Sequence, residues 1–386
     1  MGVSDSQPII TTVVPTYRRP ILLRRAIASI LAQTYPHFRV CVYDNASGDE
    51  TPAVVEEFRR KDSRVEYVCR PNNVGMFANF TDGANRVETP FFSFLSDDDL
   101  MLPNFFESAL EGFHRHPEAA LSTLATVRMR PNGMFVNAPL LQWPEGLVMP
   151  PNGVFSILHY GDPGLQALLI RKEVWEEFGG FDELTEPSSE VDFQLRVTMR
   201  LPIVVSRKFG AIGIFHSDSV TVRTEIATAW GGWPVMLWFA DRFNENRTLA
   251  PDVRQRATAI IVSHKKRILI TQGIMKSISR GKWEDAKRAA DLLVQECRQS
   301  RAARTIRGAT AICRRLPGTT LLLRTLFGIR AAEKALLNLG MHWRFRSYSR
   351  FLRASTLAAS SANLVSAVPS ASEDGGAAVQ RNISAS

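Results

Sequence analysis

Asp97, Asp98 and Asp99 stand side by side in the stretch FFSFLSDDDLMLP, residues 91 to 103, with apolar residues before and after them. Three adjacent carboxylates repel one another, and each is costly to take out of water unless a cation or a set of donors meets it. The stretch therefore asks for something positive. Hard oxygen ligands of this kind suit Mg2+ or Mn2+, ions that join one or two carboxylates to the phosphates of a substrate. A solvated acidic turn is the competing reading, and the elements around the aspartates decide between the two.

Residues 9 to 17, IITTVVPTY, are β-branched and apolar, and residues 20 to 33, PILLRRAIASILAQ, open on Pro and repeat Leu, Ile and Ala at helical spacing. The pattern recurs as FRVCVYD with TPAVVEEFRRK, RVEYVC with MFANFTDGANRV, and FFSFLS with PNFFESALEGFHRH. Nearly continuous apolar strands that alternate with helices predict a mostly parallel α/β sheet flanked by helices. Such sheets bind ligands beyond the carboxyl ends of their strands. Pro15, Thr16 and Tyr17 are expected just past the first strand, Asp44 and Asn45 past the second, and the three aspartates past the fourth. Three polar clusters on one sheet edge favour a metal and phosphate site over a solvated turn. The chain has no GxxxxGK[ST] loop, and no GxGxxG follows the first strand, which leaves a nucleotide diphosphate held through its metal.

The chain has 386 residues, of which 45% are hydrophobic, and a formal net charge of +9. That charge is unevenly spread: residues 1–240 hold 21 Lys and Arg against 28 Asp and Glu, net −7, and residues 241–386 hold 26 against 10, net +16. We expect a catalytic body over 1–240, a basic helical extension over 241–354, and a disordered Ala- and Ser-rich tail over 355–386. Cys41, Cys69, Cys297 and Cys313 form no CxxC pair and read as reduced thiols. No basic flank precedes an apolar run at the N-terminus, and nowhere do 18 uncharged apolar residues run together, so a cytoplasmic protein is expected.

TVVPTYRRPILLRRAIASILAQTYPHFRVCVYDNASGDET followed by NNVGMFANFTDGANRVETPFFSFLSDDDLMLP resembles the start of family 2 glycosyltransferases of the Rossmann-like GT-A fold. The resemblance spans roughly residues 8 to 225. It implies an inverting, metal-dependent transferase that moves a sugar from a nucleotide-diphosphate donor to a hydroxyl acceptor. By the resemblance, Pro15, Thr16 and Tyr17 line the nucleotide, Asp44 accepts a hydrogen bond from the base, and Asp97 to Asp99 form the DxD-type metal motif. Ser96 stands where the family carries an acid, so Asp98 is the expected metal ligand, Asp97 the ribose or supporting partner, and Asp99 a further ligand. Asn73, Gly75 and Asn79 fit the family's NxGxxxN stretch, with Asn79 at the nucleotide pocket.

Counting back from Arg196 in GGFDELTEPSSEVDFQLRV puts Glu190 where the family has its catalytic aspartate, with Ser189 in place of the preceding acid. Asp192 is the rival base, and both acids would also suit the first turn of a helix through its dipole. His216, in IFHSDSVT, is by the resemblance a ligand of the metal or diphosphate, or else a structural histidine. Trp230, Trp233 and Trp238 read as packing residues in preference to an acceptor platform. A nucleotidyltransferase and an inactive nucleotide-sugar-binding module are the alternatives; the first would need a glycine-rich basic loop that PTYRRP does not supply.

Residues 301 to 353 intersperse Arg with Leu, Ile, Phe and Trp and contain one acid, Glu333. Basic amphipathic segments lie along an anionic membrane surface or cap a neighbouring domain. The first choice would hold the enzyme peripherally on the inner face of a membrane, beside a lipid-linked acceptor. No nucleic-acid recognition fold is visible, so nucleic acid is not an expected partner.

Overall fold

Proline at the start of two helices, and β-branched runs between them, set the order of the first elements. Strand β1 (Ile10–Thr16) leads to α1 (Pro20–Leu31), β2 (Phe38–Asp44) to α2 (Thr51–Arg59), β3 (Val65–Cys69) to α3 (Met76–Asn85), and β4 (Phe91–Phe94), through the short β5 (Leu100–Met101), to α4 (Phe105–Arg115). The computed structural model describes residues 7–186, 188–215, 249–296, 300–316, 318–326, 341 and 345–360. His216, Trp230, Trp233, Trp238, Cys297 and the tail from residue 361 lie outside the described residues. Contacts divide the chain into two units, Met1–His216 with Arg344–Ser386, and Ser217–Trp343.

In the first unit the sheet runs β3-β2-β1-β4-β9-β6-β10-β5, where β6 is Leu121–Met129, β9 is Leu168–Arg171 and β10 is Ile203–Ile214. The expected parallel pairing holds from β3 to β4 and again between β6 and β10. Between them β9 pairs antiparallel to both β4 and β6. Sequence reading passed over β9 because its four residues, LLIR, run straight into helix α6 (Lys172–Phe178) with no turn residue to mark a strand. Strand β7 (Phe135–Asn137) pairs with β6, and β8 (Gly146–Val148) with β10; helices α5 (Asn152–Tyr160) and α7 (Ser189–Thr198) complete this half. Pro15 and Thr16 lie inside β1 and Asp44 is the last residue of β2, so the nucleotide-side clusters begin one to two residues earlier than expected.

Every residue of β1 is buried, and Leu23, Ala26, Ile27 and Ile30 of α1 pack against the sheet. On the other face Phe94, Trp175, Phe181 and Phe193 form a cluster, with Trp175 5.0 Å from Phe181 and 5.2 Å from Phe193 between ring centroids. That cluster seats α7 under the strand ends. Helix Arg346–Ser360 also belongs to this unit: Phe345 stacks on Phe135 at 4.7 Å, and Arg353 donates to the Asn132 carbonyl at 3.3 Å.

The described residues of the second unit are mostly helical. They include Pro251–Ile268, a π-helical stretch Leu269–Met275, Trp283–Glu296 and Arg301–Cys313, around a core of Ile274, Ile278, Ala286, Ala289, Ala290, Leu293 and Ala303. Ser300 caps the last of these helices, accepting from Ala303 N at 3.2 Å.

Candidate active site

The positive charge that three aspartates demand comes from Arg19, which precedes α1, and from Arg25 within that helix. Thr16 Oγ1 donates to Asp97 Oδ2 at 2.8 Å, and Arg19 Nη1 donates both to Asp97 Oδ1 and to Asp98 Oδ2 at 3.1 Å. Arg25 lies behind them, 7% exposed, with Nε and Nη2 lacking a hydrogen-bond partner. Burial holds its pKa down, and the charges of Asp98 and Asp99 pull it back up. Burial and the neighbouring Asp98 push the Asp97 carboxyl up to about 6, against Arg19 and Thr16, which stabilise its charged form. Sequence reading missed both arginines as site residues. The available signal was Arg25 on the apolar stripe of α1, between Leu23 and Ala26.

Asp99 has a different task. Its Oδ1 accepts from Ile214 N and its Oδ2 from Gln166 Nε2, each at 2.7 Å, so both oxygens tie β5 to β10 and the turn before β9. Burial, then the charge of Asp98, raises its pKa well above the usual range. Asp97 Oδ1 and Asp98 Oδ2 instead share one cationic nitrogen, a geometry of hard oxygens converging on one positive centre that fits magnesium or manganese. Among the described residues no three His, Cys, Asp or Glu side chains form a metal-binding group. An ion held here by two aspartates would draw its other ligands from substrate phosphates and water.

Asp44 is fully buried and saturated. Its Oδ1 accepts from Ser47 N at 3.0 Å and Ser47 Oγ at 2.5 Å, and its Oδ2 from the Tyr67 hydroxyl at 2.6 Å. Ala46 and Arg18 take φ of 60° and 55°, a conformation unfavourable for side-chain-bearing residues, and Arg18 N donates to Ser47 Oγ at 2.9 Å. The loops after β1 and β2 are thereby locked together. Tyr17 projects from them, 38% exposed, with the Arg18 guanidinium 5.1 Å from its ring centroid, whereas Pro15 and Thr16 are buried. Asn79 is also internal: it donates to the Tyr43 carbonyl at 2.8 Å and accepts from Arg70 Nε at 3.0 Å. Asn45, in turn, donates to Asn73 Oδ1 at 2.9 Å and to the Gly75 carbonyl at 3.1 Å, fixing the loop before α3.

Across the edge, α7 carries Glu190 and Asp192 in its first turn. Asp192 is 1% exposed and accepts from Arg196 Nε at 2.7 Å, while the other Arg196 nitrogens donate to the carbonyls of Phe178 and Gly180. It anchors α7. Glu190 Oε2 is buried without a hydrogen-bond partner. Burial, with Asp162 adding repulsion, pushes its pKa up to about 8, against its own backbone amide and Arg128. A buried carboxyl with a free oxygen and raised proton affinity suits proton transfer near neutral pH.

Residues 11–146 match the family described as Glycosyl transferase family 2. A stretch of 105 residues is 31% identical to the GalNAc(5)-diNAcBac-PP-undecaprenol beta-1,3-glucosyltransferase of Campylobacter jejuni, covering 27% of this chain and 34% of that protein. The putative teichuronic acid biosynthesis glycosyltransferase TuaG of Bacillus subtilis is 24% identical over 137 residues, 34% of this chain and 54% of that protein. The chain thus spans 34% and 54% of the lengths of these two curated relatives. In fold it resembles S. aureus TarS 1-349 in complex with UDP-GlcNAc, with a TM-score of 0.60 at 16% identity, over 82% of this chain and 91% of that one. The segment that matches the glycosyl transferase family 2 description holds β1 to β4 and the Thr16, Arg19, Asp97 and Asp98 cluster, on a sheet whose fold is similar to that of TarS.

Proposed function

We propose that the protein transfers a sugar, with inversion, from a nucleotide-diphosphate donor to a hydroxyl acceptor, in the synthesis of a polysaccharide or glycolipid. The observation that carries this reading is Glu190: a buried carboxyl whose Oε2 lacks a partner, on the sheet edge that also holds the Asp97 and Asp98 pair. Tyr17 and the locked loops after β1 and β2 hold the nucleotide. Asp98, supported by Asp97, would hold a magnesium or manganese ion, and that ion would supply positive charge against the charge that builds on the leaving diphosphate. Glu190 takes the proton of the acceptor hydroxyl as its oxygen attacks the anomeric carbon from the face opposite the diphosphate. The bond from that carbon to the diphosphate oxygen breaks, and its electron pair leaves with the diphosphate. His216, outside the described residues, is a candidate further ligand of metal or diphosphate.

The relatives support the substrate classes: one is named for an undecaprenol diphosphate-linked acceptor, and TarS is bound to UDP-GlcNAc. Incubating the protein with UDP-GlcNAc, UDP-glucose or GDP-mannose and manganese should release nucleoside diphosphate, and chelator should stop it. Release of pyrophosphate would indicate nucleotidyl transfer, and tight binding without turnover across a panel of acceptors would indicate a binding module.

A lipid-linked acceptor calls for a way to reach a membrane surface. Among the described residues no helix is long and apolar enough to cross a membrane. The second unit instead exposes Ile312, Leu316, Leu321, Leu322 and Leu326, in a segment from 301 to 326 with six arginines and no acid. We place this surface on an anionic leaflet, each arginine contributing about 1 kcal/mol. Cosedimentation with phosphatidylglycerol vesicles should weaken with salt and be lost when Leu321 and Leu322 are changed to Ser; equal pelleting of both proteins would refute it.

A further inference from the structure

Phe209 stands where β10 departs from regular pairing. The register with β6 shifts on either side of it, between Ser206 and Phe209 and again between Phe209 and Ala211. Bulges of this kind bend a strand and re-aim a side chain beside functional sites. Here the ring is met from far along the chain. Phe345 and Tyr348 approach it edge to face, at 5.3 Å and 5.2 Å between centroids, and Phe345 also stacks on Phe135 of β7. Helix Arg346–Ser360 is seated like an element of the core: Ser349, Phe351 and Leu352 are buried, and a Cβ on Gly133, between β6 and β7, would collide with Ser349 Oγ.

From Phe209 onward β10 is the backbone on which the aspartate turn is laid. The Phe209 carbonyl accepts from Asn104 Nδ2 at 3.1 Å, and the Gly210 carbonyl from Leu102 N at 2.8 Å. Ala211 and Ile212 pair antiparallel with Met101 and Leu100, and Ile214 N donates to Asp99 Oδ1 at 2.7 Å. Residues 99–104 thus take their path from residues 209–214, and Asp98 is the next residue back. Its carboxylate meets Arg19 on one side, while its backbone continues into a segment whose course is set at Phe209. Ligand groups must sit within about 0.5 Å of their working geometry, so a grip on Phe209 reaches the site.

We propose that Phe345 and Tyr348 are positioning residues: by clamping Phe209 they fix the course of β10 and hold residues 98–104 in the geometry that presents Asp98. The clamp is a property of the fold; its effect on metal rests on the reading of Asp98 above. In the full-length Phe345→Ala, Tyr348→Ala double variant, backbone amides of residues 99–104 and 209–215 should exchange with deuterium about tenfold or more faster, two ring pairs' worth, with β1 and β2 unchanged. Its affinity for manganese without nucleotide, followed by electron paramagnetic resonance, should fall about 3- to 10-fold. Tyr348→Ala alone should show both effects in smaller measure, and carries the test should the double variant not fold. Tyr348→Phe, which keeps the ring, should match the wild type. Val55→Ala, at a buried residue of α2, should lower Tm and leave manganese affinity unchanged. Exchange that quickens over the whole sheet, or not at all at 99–104, would overturn the clamp. Local loosening with wild-type manganese affinity, or an equal fall in Val55→Ala, would show Phe345 and Tyr348 to be packing residues only. A wild type that binds no manganese would overturn the reading of Asp98 instead, and the exchange pattern then decides the clamp by itself.

Discussion

The two flanks of the sheet edge treat their acidic side chains differently. On the β1–β4 flank each carboxylate has a protein partner: Asp44 has Ser47 and Tyr67, Asp97 has Thr16 and Arg19, and Asp98 has Arg19. On the β6–β10 flank Thr126, Gln166 and Glu190 each keep a buried oxygen unpaired. In the proposed site the first flank would exchange an internal partner for a ligand, with Arg19 yielding its place, so that its binding would be a competition. The second has nothing to give up. In the proposed reaction, Glu190 Oε2 meets the acceptor hydroxyl without first releasing a protein partner.

The largest effect is expected on the unpaired flank. Glu190→Gln keeps size and hydrogen bonding but cannot take a proton, and should lower kcat by about 10²- to 10⁴-fold with donor affinity preserved. Because the folded-state pKa of Glu190, about 8, lies above the ordinary 4.5, the folded protein binds more protons between those values, and stability should fall as pH rises from 4.5 to 8. Chemical denaturation across pH should show Glu190→Gln losing that slope. If Asp192→Asn is the variant that loses turnover while folding normally, the base is Asp192; its ion pair with Arg196 leads us to expect lost stability instead.

A smaller effect tests the paired flank. Arg19→Ala removes the cation that Asp97 and Asp98 share, so manganese binding without nucleotide, followed by electron paramagnetic resonance, should tighten about tenfold, one charge-assisted hydrogen bond's worth. Unchanged or weaker manganese binding would mean that Arg19 does not compete with the ion. The smallest effect is expected from Asp162→Asn. Removing this negative neighbour lowers the proton affinity of Glu190, so the acid limb of the pH profile of kcat/KM should move to lower pH. The shift should stay below about one unit, because burial is the larger cause. A move to higher pH would exclude Asp162 as the neighbour that matters.

Much of the paired flank was legible in the chain, because it is local. Strand-then-helix periodicity located β1 to β4, and the rule that ligands meet strand ends singled out Asp97 and Asp98 as candidates on the edge where they now meet Arg19. Asp44 and Asn79 came with them, but hydrogen bonds from Ser47 and Tyr67, and to the Tyr43 carbonyl, turn both inward to hold loops. The unpaired flank was almost silent. Gln166 sits before a four-residue strand with no periodicity, and nothing near Thr126 in sequence marks its hydroxyl as unpaired.

What the sequence determined alone was whatever depends on neighbours along the chain: the alternating elements, prolines at the starts of α1 and α2, the acid triad after β4, and a basic second half. The tertiary structure decided which of three adjacent aspartates faces a cation and which braces β10, and which of two acids in one helical turn is paired. Those outcomes depend on partners such as Arg19, Gln166, Ile214 and Arg196, and all but the last lie more than 60 residues from the acids they meet. A carboxylate's chemistry is set by the donors within about 3 Å of it, and only the fold chooses them.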